Sequence, residues 1–215
     1  MLYNKTVHDV KILSIYKGDY MNVEIHKLTP ELAESYARFF DETPHNEEFK
    51  RKCYCVNWHT DSAKGKSWPD KTAERRAVAI ERVESGHIRG YLAYHDSKIV
   101  GWCNANTKSD CQKVIKRMIS KHMHTPVDVY SDDEKVKFIF CFTIAPDYRR
   151  KGVASQLLEY ICNDAKADGY SFVEVFTKRD FANDGFRGVF EMYEKHGFYI
   201  YAEQDGKVIM RKALT

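Results

Sequence analysis

The sequence predicts a single α/β domain built on a mixed β-sheet, and three observations support this prediction. A strand, a glycine-bearing turn and a helix follow one another over residues 138–168. Two hairpin patterns, over 89–105 and 198–212, supply antiparallel strands, and helical periodicity precedes and follows the central stretch. The 215 residues are enough to bury a sizeable core in one domain.

The domain is expected to span residues 21–215, after an N-terminal extension or arm over residues 1–20. Met21 opens a stretch that reads like a natural domain start, and whether it is the native first residue stays open. A short strand is predicted at Val23–His26. Thr29-Pro30-Glu31 then predicts a helix start, because Thr caps helices, Pro fits the first helical position and acid suits the first turn. The apolar stripe of this helix comprises Leu32, Tyr36, Phe39 and Phe40.

A strand-like run, a second helix and a hairpin are predicted next. Cys53–His59 is the strand-like run within the irregular residues 41–71. Thr72–Glu84 has helical periodicity. Arg89–His95 and Ile99–Ala105 flank a turn and form the hairpin. The candidates for burial on the second helix are Ala77, Val78, Ile80 and Val83.

Residues 106–135 form an insertion before the central strand. Val114, Met118 and Ile119 predict a helix across 109–120. A predicted loop follows, and it contains His122, His124, Asp132, Asp133 and Glu134.

The central stretch begins with Phe138–Ile144, an apolar run of strand length that is rich in aromatic and β-branched residues. Ala145-Pro146-Asp147 ends the strand, because proline cannot donate a ladder hydrogen bond and Asp favours a turn. From Gly152 the apolar residues recur at helical spacing. The predicted buried face of this helix comprises Val153, Leu157, Leu158, Ile161, Cys162 and Ala165.

The C-terminal part predicts one strand, one helix and a hairpin. Ser171–Thr177 is the strand, and a charged loop over 178–185 follows it. Phe186–His196 is the helix, and Val189, Phe190 and Tyr193 share its apolar face. Phe198–Glu203 and Val208–Lys212 flank Asp205-Gly206, a strong hairpin signal.

The start of the helix after Gly152 is a candidate anion site. The first amides of a helix are unpaired and lie at the positive end of its dipole. Arg149, Arg150 and Lys151 precede this start, and Gly152 has no Cβ to keep a ligand away from the backbone. On these residues alone, a solvated basic turn before an amphipathic helix is an equal alternative.

Two segments resemble motifs of the GNAT superfamily of acyl-CoA-dependent N-acyltransferases. Arg149–Ala154, with the lead-in Ile144–Tyr148, resembles the family's R/Q-x-x-G-x-G/A loop. Met192–Phe198, MYEKHGF, resembles its Y-E-K-x-G-F helix end. The resemblance covers about 89–212, with looser agreement over 22–88. It implies a six- or seven-stranded, mostly antiparallel sheet flanked by helices, whose two middle strands splay to admit the cofactor.

The resemblance also implies acetyl-CoA as cosubstrate, with no metal. Amides of the basic loop would hold the pyrophosphate, while Phe142–Ile144 would pair with the pantetheine arm and polarise the thioester. Tyr193 would act as general acid toward the departing thiolate, and the alternative for this residue is a core aromatic. The implied cofactor-binding residues are Phe142, Thr143, Ile144, Arg149, Arg150, Lys151, Gly152, Val153, Ala154 and Ser155.

The general base is left unassigned, because Phe138–Ile144 carries no acid where some family members place a glutamate. Glu174 is the nearest candidate by sequence, although a solvent-facing strand residue is the preferred interpretation. His59, His122 and His124 have suitable unperturbed pKa values, but each is better read as a surface or satisfied histidine. A chain of waters is the remaining alternative.

The six cysteines are read as reduced thiols of a cytoplasmic protein, because no secretion signal is evident. Cys53, Cys55 and His59 suggest a metal site, yet zinc sites use a second ligand pair, which the sequence lacks. Structural cysteines near the acceptor site are therefore favoured, with Tyr54 and Trp58 as candidates for its lining.

We therefore expect an N-acetyltransferase in which a primary amine of a small molecule or peptide attacks the thioester directly in a ternary complex. The alternative is an inactive CoA-binding sensor or interaction module of the same fold. The net charge of +3 does not indicate nucleic acid, and no apolar run reaches the ~18 residues of a membrane span. A homodimer is left open, and the 106–135 insertion is expected over the substrate side.

Overall fold

In the part of the chain that the structure describes, seven strands form one mixed sheet. This computed structural model describes residues 21–43, 52–57, 71–120, 123–124, 135–179 and 188–215. The strands are β1 (Glu24–Lys27), β2 (Gly90–His95), β3 (Lys98–Thr107), β4 (Val136–Ile144), β5 (Phe172–Lys178), β6 (Tyr199–Gln204) and β7 (Lys207–Ala213). Their order is β1-β2-β3-β4-β5-β7-β6, and every neighbouring pair is antiparallel except β4 and β5. The predicted fold class is confirmed.

Helices cover both faces of the sheet. The α-helices of the described ranges are α1 (Ala33–Glu42), α2 (Thr72–Glu84), α3 (Gln112–Ser120), α4 (Val153–Ala167) and α5 (Phe190–Lys195). The first face packs against α4 and α5. The second face packs against α1 and α2 over β2 and β3, and against α3 over β4, β5 and β7. None of the described helices combines the length and apolarity that crossing a membrane requires.

The α4 helix buries the face that its sequence predicts. All six predicted residues are at most 5% exposed, because their three- and four-residue spacing keeps them on one side of the helix. α4 crosses from the end of β4 to the start of β5, and this connection allows the two strands to run parallel.

Both hairpin predictions are confirmed by their turns. Asp96 and Ser97 join β2 to β3 with φ of 46° and 62°. Asp205 and Gly206 join β6 to β7 with φ of 50° and 69°. Two successive residues with positive φ match the right-handed twist of the flanking strands, which is why short polar residues and Gly occupy these positions.

The helices predicted after Thr29 and across 109–120 are confirmed with small shifts. A 3-10 turn, Pro30–Leu32, precedes α1, and Thr29 makes no side-chain capping bond to it. Leu32 is half-buried, whereas the other three residues of the predicted stripe are buried. A second 3-10 turn, Ser109–Cys111, precedes α3. The three residues that predicted α3 are buried against the second face of the sheet.

The strand prediction at Cys53–His59 is wrong for its described part, 53–57, because residues 54–57 form a turn. Tyr54 and Cys55 adopt left-handed φ values of 46° and 47°. The Tyr54 carbonyl accepts a hydrogen bond from the Tyr36 hydroxyl at 2.8 Å, and the Val56 carbonyl accepts one from Arg82. Side chains of α1 and α2 thus satisfy backbone groups that a strand would offer to a neighbour. Trp58 and His59 lie outside the described residues.

Two helix faces differ from prediction. On α2 the buried residues are Arg75, Ala79 and Val83, spaced by four, and Ala77 is exposed because it lies off that line. α5 is shorter than predicted, since Val189 has an extended backbone and is 38% exposed. Phe186 lies outside the described residues, as do residues 1–20 and most of the charged loop.

Candidate active site

A gap separates β4 from β5 toward the ends of the two strands. The two strands pair from Val136 with Phe172 to Ile139 with Val175. Beyond that pair, β4 continues to Ile144 and β5 continues to Lys178, but the two strands no longer pair with each other. The backbone edge of Phe142–Ile144 that does not face β3 therefore borders the gap. The predicted splay of the two middle strands is confirmed.

A β-bulge in β4 lies where the gap opens. Asn104 pairs with Cys141 and Ala105 with Ile139, so Phe140 is the extra residue on β4. Phe140 and Cys141 both face the second side of the sheet, one against α3 and the other against α1 and α2. A bulge bends its strand and increases the local twist. It therefore turns the end of β4 away from β5.

The start of α4 lies at the end of β4 and is open to an anion. Gly152 is the N-cap with φ of 81°, and no side chain caps the helix there. The Gly152 carbonyl accepts the Gln156 amide at 3.0 Å, and the first turn contains no acidic residue. The amides of Val153, Ala154 and Ser155 belong to the turn that has no acceptor within the helix.

The three predicted cations surround this helix start and are all exposed. Arg149 Nε donates to the Ile144 carbonyl at 3.1 Å, which ties the loop to the end of β4. Arg150 has a left-handed φ of 64°. Lys151 Nζ lies 5.7 Å from the centre of the Tyr148 ring. The structure thus brings the basic loop and the end of the β4–β5 gap together.

Two supports of this loop were not predicted from the sequence. Met21 donates its amide to the Lys151 carbonyl at 3.3 Å and accepts a 2.7 Å hydrogen bond from Gln156 Nε2. Gly101 on β3 leaves room below the loop: a Cβ there would lie 3.0 Å from both Ile144 Cδ1 and Val153 Cγ1. The natural domain start at Met21 was the only signal for the first support.

Tyr193 lies on α5 beside the end of β5. The residue has no exposed surface, and its ring meets Phe198 edge-on at 5.3 Å. A Cβ at Gly188 would lie 2.7 Å from the Tyr193 hydroxyl, and Thr177 of β5 donates to the Gly188 carbonyl at 3.3 Å. The phenol is therefore buried and lies against Gly188, which Thr177 connects to the end of β5.

Glu174 is fully buried, so the prediction of a solvent-facing residue is wrong. Lys108 Nζ lies 2.8 Å from its Oε2, and Arg211 Nε donates to its Oε1 at 2.7 Å. The side chains of Lys108 and Arg211 are 3% and 8% exposed. This ionic triad joins β5 to β7 and to the root of the insertion. Neutralising this carboxylate would weaken two buried ion pairs at once, which opposes a role as general base.

His124 is the one histidine candidate that lies within the described residues. It is exposed, and its amide donates to the Gln204 side chain. Gln204 ends β6 next to Lys207, which pairs with Lys178 of β5. The insertion therefore reaches the end of the sheet where the gap opens. His122 and the acidic run 132–134 lie outside the described residues.

Two of the cysteines, Cys55 and Cys141, are in contact on the second face of the sheet. The Cys55 and Cys141 sulfur atoms are 2.8 Å apart, and Trp102 Nε1 donates to Cys55 Sγ at 3.4 Å. Burial raises the pKa of the Cys55, Cys103 and Cys141 thiols, so these groups stay protonated. All six cysteines are free, and the described residues contain no group of three potential metal ligands.

Comparisons with known proteins agree with this geometry. The model of the acetyltransferase (GNAT) family matches residues 52–198. A PaiA N-acetyltransferase from Thermoplasma acidophilum, solved with coenzyme A, is 17% identical, with a TM-score of 0.51 over 90% of this chain and 99% of that one. A polyamine N-acetyltransferase from Drosophila melanogaster is 10% identical, with a TM-score of 0.52 over 89% of this chain and 100% of that one. No curated protein matches the sequence at a significant level.

Proposed function

Because the chain belongs to the GNAT acetyltransferase family, we propose that it transfers the acetyl group of acetyl-CoA to a primary amine in a ternary complex. One observation carries this proposal: the unpaired edge of β4 leads directly to the uncapped start of α4. An extended pantetheine arm ending in a pyrophosphate matches such a path, because it needs a strand edge and then an anion site.

The pyrophosphate is assigned to the loop Arg149–Ser155. Backbone amides of Gly152, Val153, Ala154 and Ser155 would donate to its oxygens, with the helix dipole adding attraction. Arg150 and Lys151 are exposed beside these amides and would add charge. Arg149 has a second role, since its Nε already holds the loop against Ile144.

The pantetheine arm is assigned to Phe142, Thr143 and Ile144. These residues pair with β3 along one edge, so their remaining backbone groups are available across the gap. An arm bound there as an added strand is held in one orientation, which lowers the entropic cost of bringing thioester and amine together. An amide near the bulge would stabilise negative charge on the thioester oxygen.

The reaction follows from this placement. The neutral amine forms a bond to the carbonyl carbon, the carbon–sulfur bond breaks, and the thiolate leaves. The thiolate takes one proton, which we assign to the Tyr193 hydroxyl, and the amine loses one. Glu174 is held between two cations, so we assign the amine proton to water in the gap.

The inactive CoA-binding module is the second candidate function. Two observations favour it: the β4 segment beside the gap carries no carboxylate, and the Tyr193 hydroxyl is enclosed. Release of free thiol in the presence of an amine separates the two candidates, because only the transferase consumes acetyl-CoA. The six free thiols support a cytoplasmic setting for either function.

A calorimetric titration with acetyl-CoA tests the binding site. Gly152→Glu places a carboxylate where the pyrophosphate would lie, and we expect it to remove the micromolar binding of the unaltered protein. Gly169→Glu is the matched control, since Gly169 also has a left-handed φ, of 71°, and open space around it at the other end of α4. Equal loss in both variants, or no binding by the unaltered protein, would overturn the proposal.

A further inference from the structure

A cavity lies at the end of the sheet remote from the β4–β5 gap. It has a volume of about 170 Å³, and the start of β4 and the end of β3 contribute to it. Lys137 and Thr107 are partners in that strand pair, and Tyr170 closes the cavity from the segment after α4. Lys27 and Arg89 stand at the same cavity.

Lys137 is the unusual residue of this cavity. It is 8% exposed, and its Nζ lies 4.2 Å from the centre of the Tyr170 ring. Lys135 Nζ lies 4.5 Å from the same ring. Within the described ranges, Lys137 has no ion pair with a carboxylate. Buried ammonium groups are normally paired, because an unpaired charge loses its hydration without compensation.

The described charges around the cavity leave a net positive charge. Lys27 Nζ lies 2.9 Å from Asp164 and 3.1 Å from Asp168, which also lines the cavity. Arg89 is 3.0 Å from Asp110. Three carboxylates thus face four cations, because Lys135 and Lys137 add to Lys27 and Arg89. An anion beside the Lys137 ammonium group would offset the repulsion among these cations.

The cavity also offers a hydroxyl proton. Thr107 Oγ1 and the Tyr170 hydroxyl are 2.6 Å apart, so one of them donates to the other. Two hydroxyls carry two protons, and this contact uses one. The second can point away from the contact and donate to an anionic oxygen, which adds a neutral donor next to the Lys137 ammonium.

We propose that this cavity binds a small anion carrying a phosphate or carboxylate group, with Lys137 as its main ligand. Its volume lies below the roughly 300–1,000 Å³ of pockets that hold organic cofactors, which excludes a nucleotide. The site is separate from the assigned pyrophosphate site, because Lys137 begins β4 and Gly152 follows its end. It joins β4 to the segment after α4, so occupancy stabilises the folded protein by mass action.

The test is a titration with inorganic phosphate and, separately, with malonate at constant ionic strength, followed by calorimetry and thermal unfolding. Phosphate could also bind at the start of α4, so the titration is repeated in the Gly152→Glu protein. We expect saturable binding and a raised Tm in both proteins. The arm with the lower dissociation constant identifies whether phosphate or carboxylate is preferred.

Lys137→Met keeps the aliphatic stem and removes the charge, and we expect ~10- to 100-fold weaker binding, as for loss of a charged hydrogen-bond donor. Lys98→Met is the control, because Lys98 is an exposed lysine on β3. Tyr170→Phe keeps the ring and should weaken binding less. Unchanged binding in Lys137→Met, or an equal Tm shift with chloride, would overturn the proposal. Neither result would bear on acetyl-CoA binding.

Discussion

Ile139 and Val175 form the last residue pair between the parallel strands β4 and β5. Phe140, the extra residue of the β4 bulge, follows immediately. The bulge turns β4 away from β5, and this explains why the pairing of the two strands ends at this point and the gap begins. The candidate active site depends on residues on the β4 side and on the β5 side of the gap, and each contribution can be tested separately.

The absence of a side chain at Gly101 leaves room for the residues at the start of α4. Gly101→Val would press on Ile144 and Val153, and we expect it to lower the free energy of unfolding by about 1–3 kcal/mol, as overpacking does. Because Val153 is the first residue of α4, its displacement should weaken acetyl-CoA binding as well. Ala105→Val on the same strand is the control: it should lose stability but keep affinity. Normal acetyl-CoA affinity in Gly101→Val would show that the loop tolerates the displacement.

The Tyr193 hydroxyl is expected to act only on the chemical step. Tyr193→Phe keeps the ring that packs on Phe198, so acetyl-CoA affinity should be unchanged while turnover falls about 10²- to 10⁴-fold. Free-thiol release and calorimetry measure the two quantities. Tyr91→Phe is the control, since that buried hydroxyl donates to Asp164 at 2.7 Å, away from the gap. Full turnover by Tyr193→Phe would remove the general-acid role.

The ionic triad is expected to be structural. Glu174→Gln removes the carboxylate charge from the buried ion pairs with Lys108 and Arg211, so the free energy of unfolding should fall by about 3–5 kcal/mol. Glu203→Gln alters a more exposed pair with Arg179 and should cost much less, because solvent screens an exposed pair. Urea unfolding measures both. The opposite pattern, with normal stability and loss of the acidic limb of the pH–rate profile, would restore Glu174 as the base.

The buried thiols should make stability depend on alkaline pH. Burial raises the pKa of Cys162 from 9.0 to about 11. The folded state then holds a proton that the unfolded state loses, so this contribution is complete below pH about 9 and is lost as pH rises toward 11. Two pKa units correspond to about 2–3 kcal/mol.

The variant Cys162→Ala isolates this contribution. Its free energy of unfolding should be lower than that of the unaltered protein at pH 8, because the small core residue is truncated, and should fall less steeply between pH 9 and 11. Denaturant titrations at each pH measure the difference. Parallel curves for the two proteins over this range would contradict the shift.

The sequence predicted those elements whose signal is local. The face of α4 follows from helical spacing, and the β6–β7 turn follows from Asp205-Gly206. The basic loop was recognised because glycine and cations occur in one short run. For these parts, neighbours in sequence determine the structure, so a single sequence is sufficient.

The remaining differences come from contacts between distant residues. Cys53–Asn57 forms a turn because Tyr36 and Arg82 hold its carbonyls, and no local pattern reports those partners. Glu174 is buried because α3 covers the second face of the sheet and Lys108 comes from the insertion. The bulge at Phe140 leaves no mark in an unbroken apolar strand. The sequence does not predict that the Lys137 charge lies at a cavity, because β3, β4 and Tyr170 form that cavity only in the folded protein.

The short ladder between β4 and β5 also has a mechanical meaning. Four residue pairs connect the strands on either side, Val136–Ile139 with Phe172–Val175, whereas the β5–β7 ladder has seven. The sheet thus consists of two parts, β1-β2-β3-β4 and β5-β7-β6, that are joined by a short ladder. The Lys108–Glu174 ion pair connects the two parts beside this ladder. A cosubstrate lying between the two parts of the sheet keeps the ends of β4 and β5 apart and also connects these strands. Its arrival should slow amide hydrogen exchange along β5 as well as along β4.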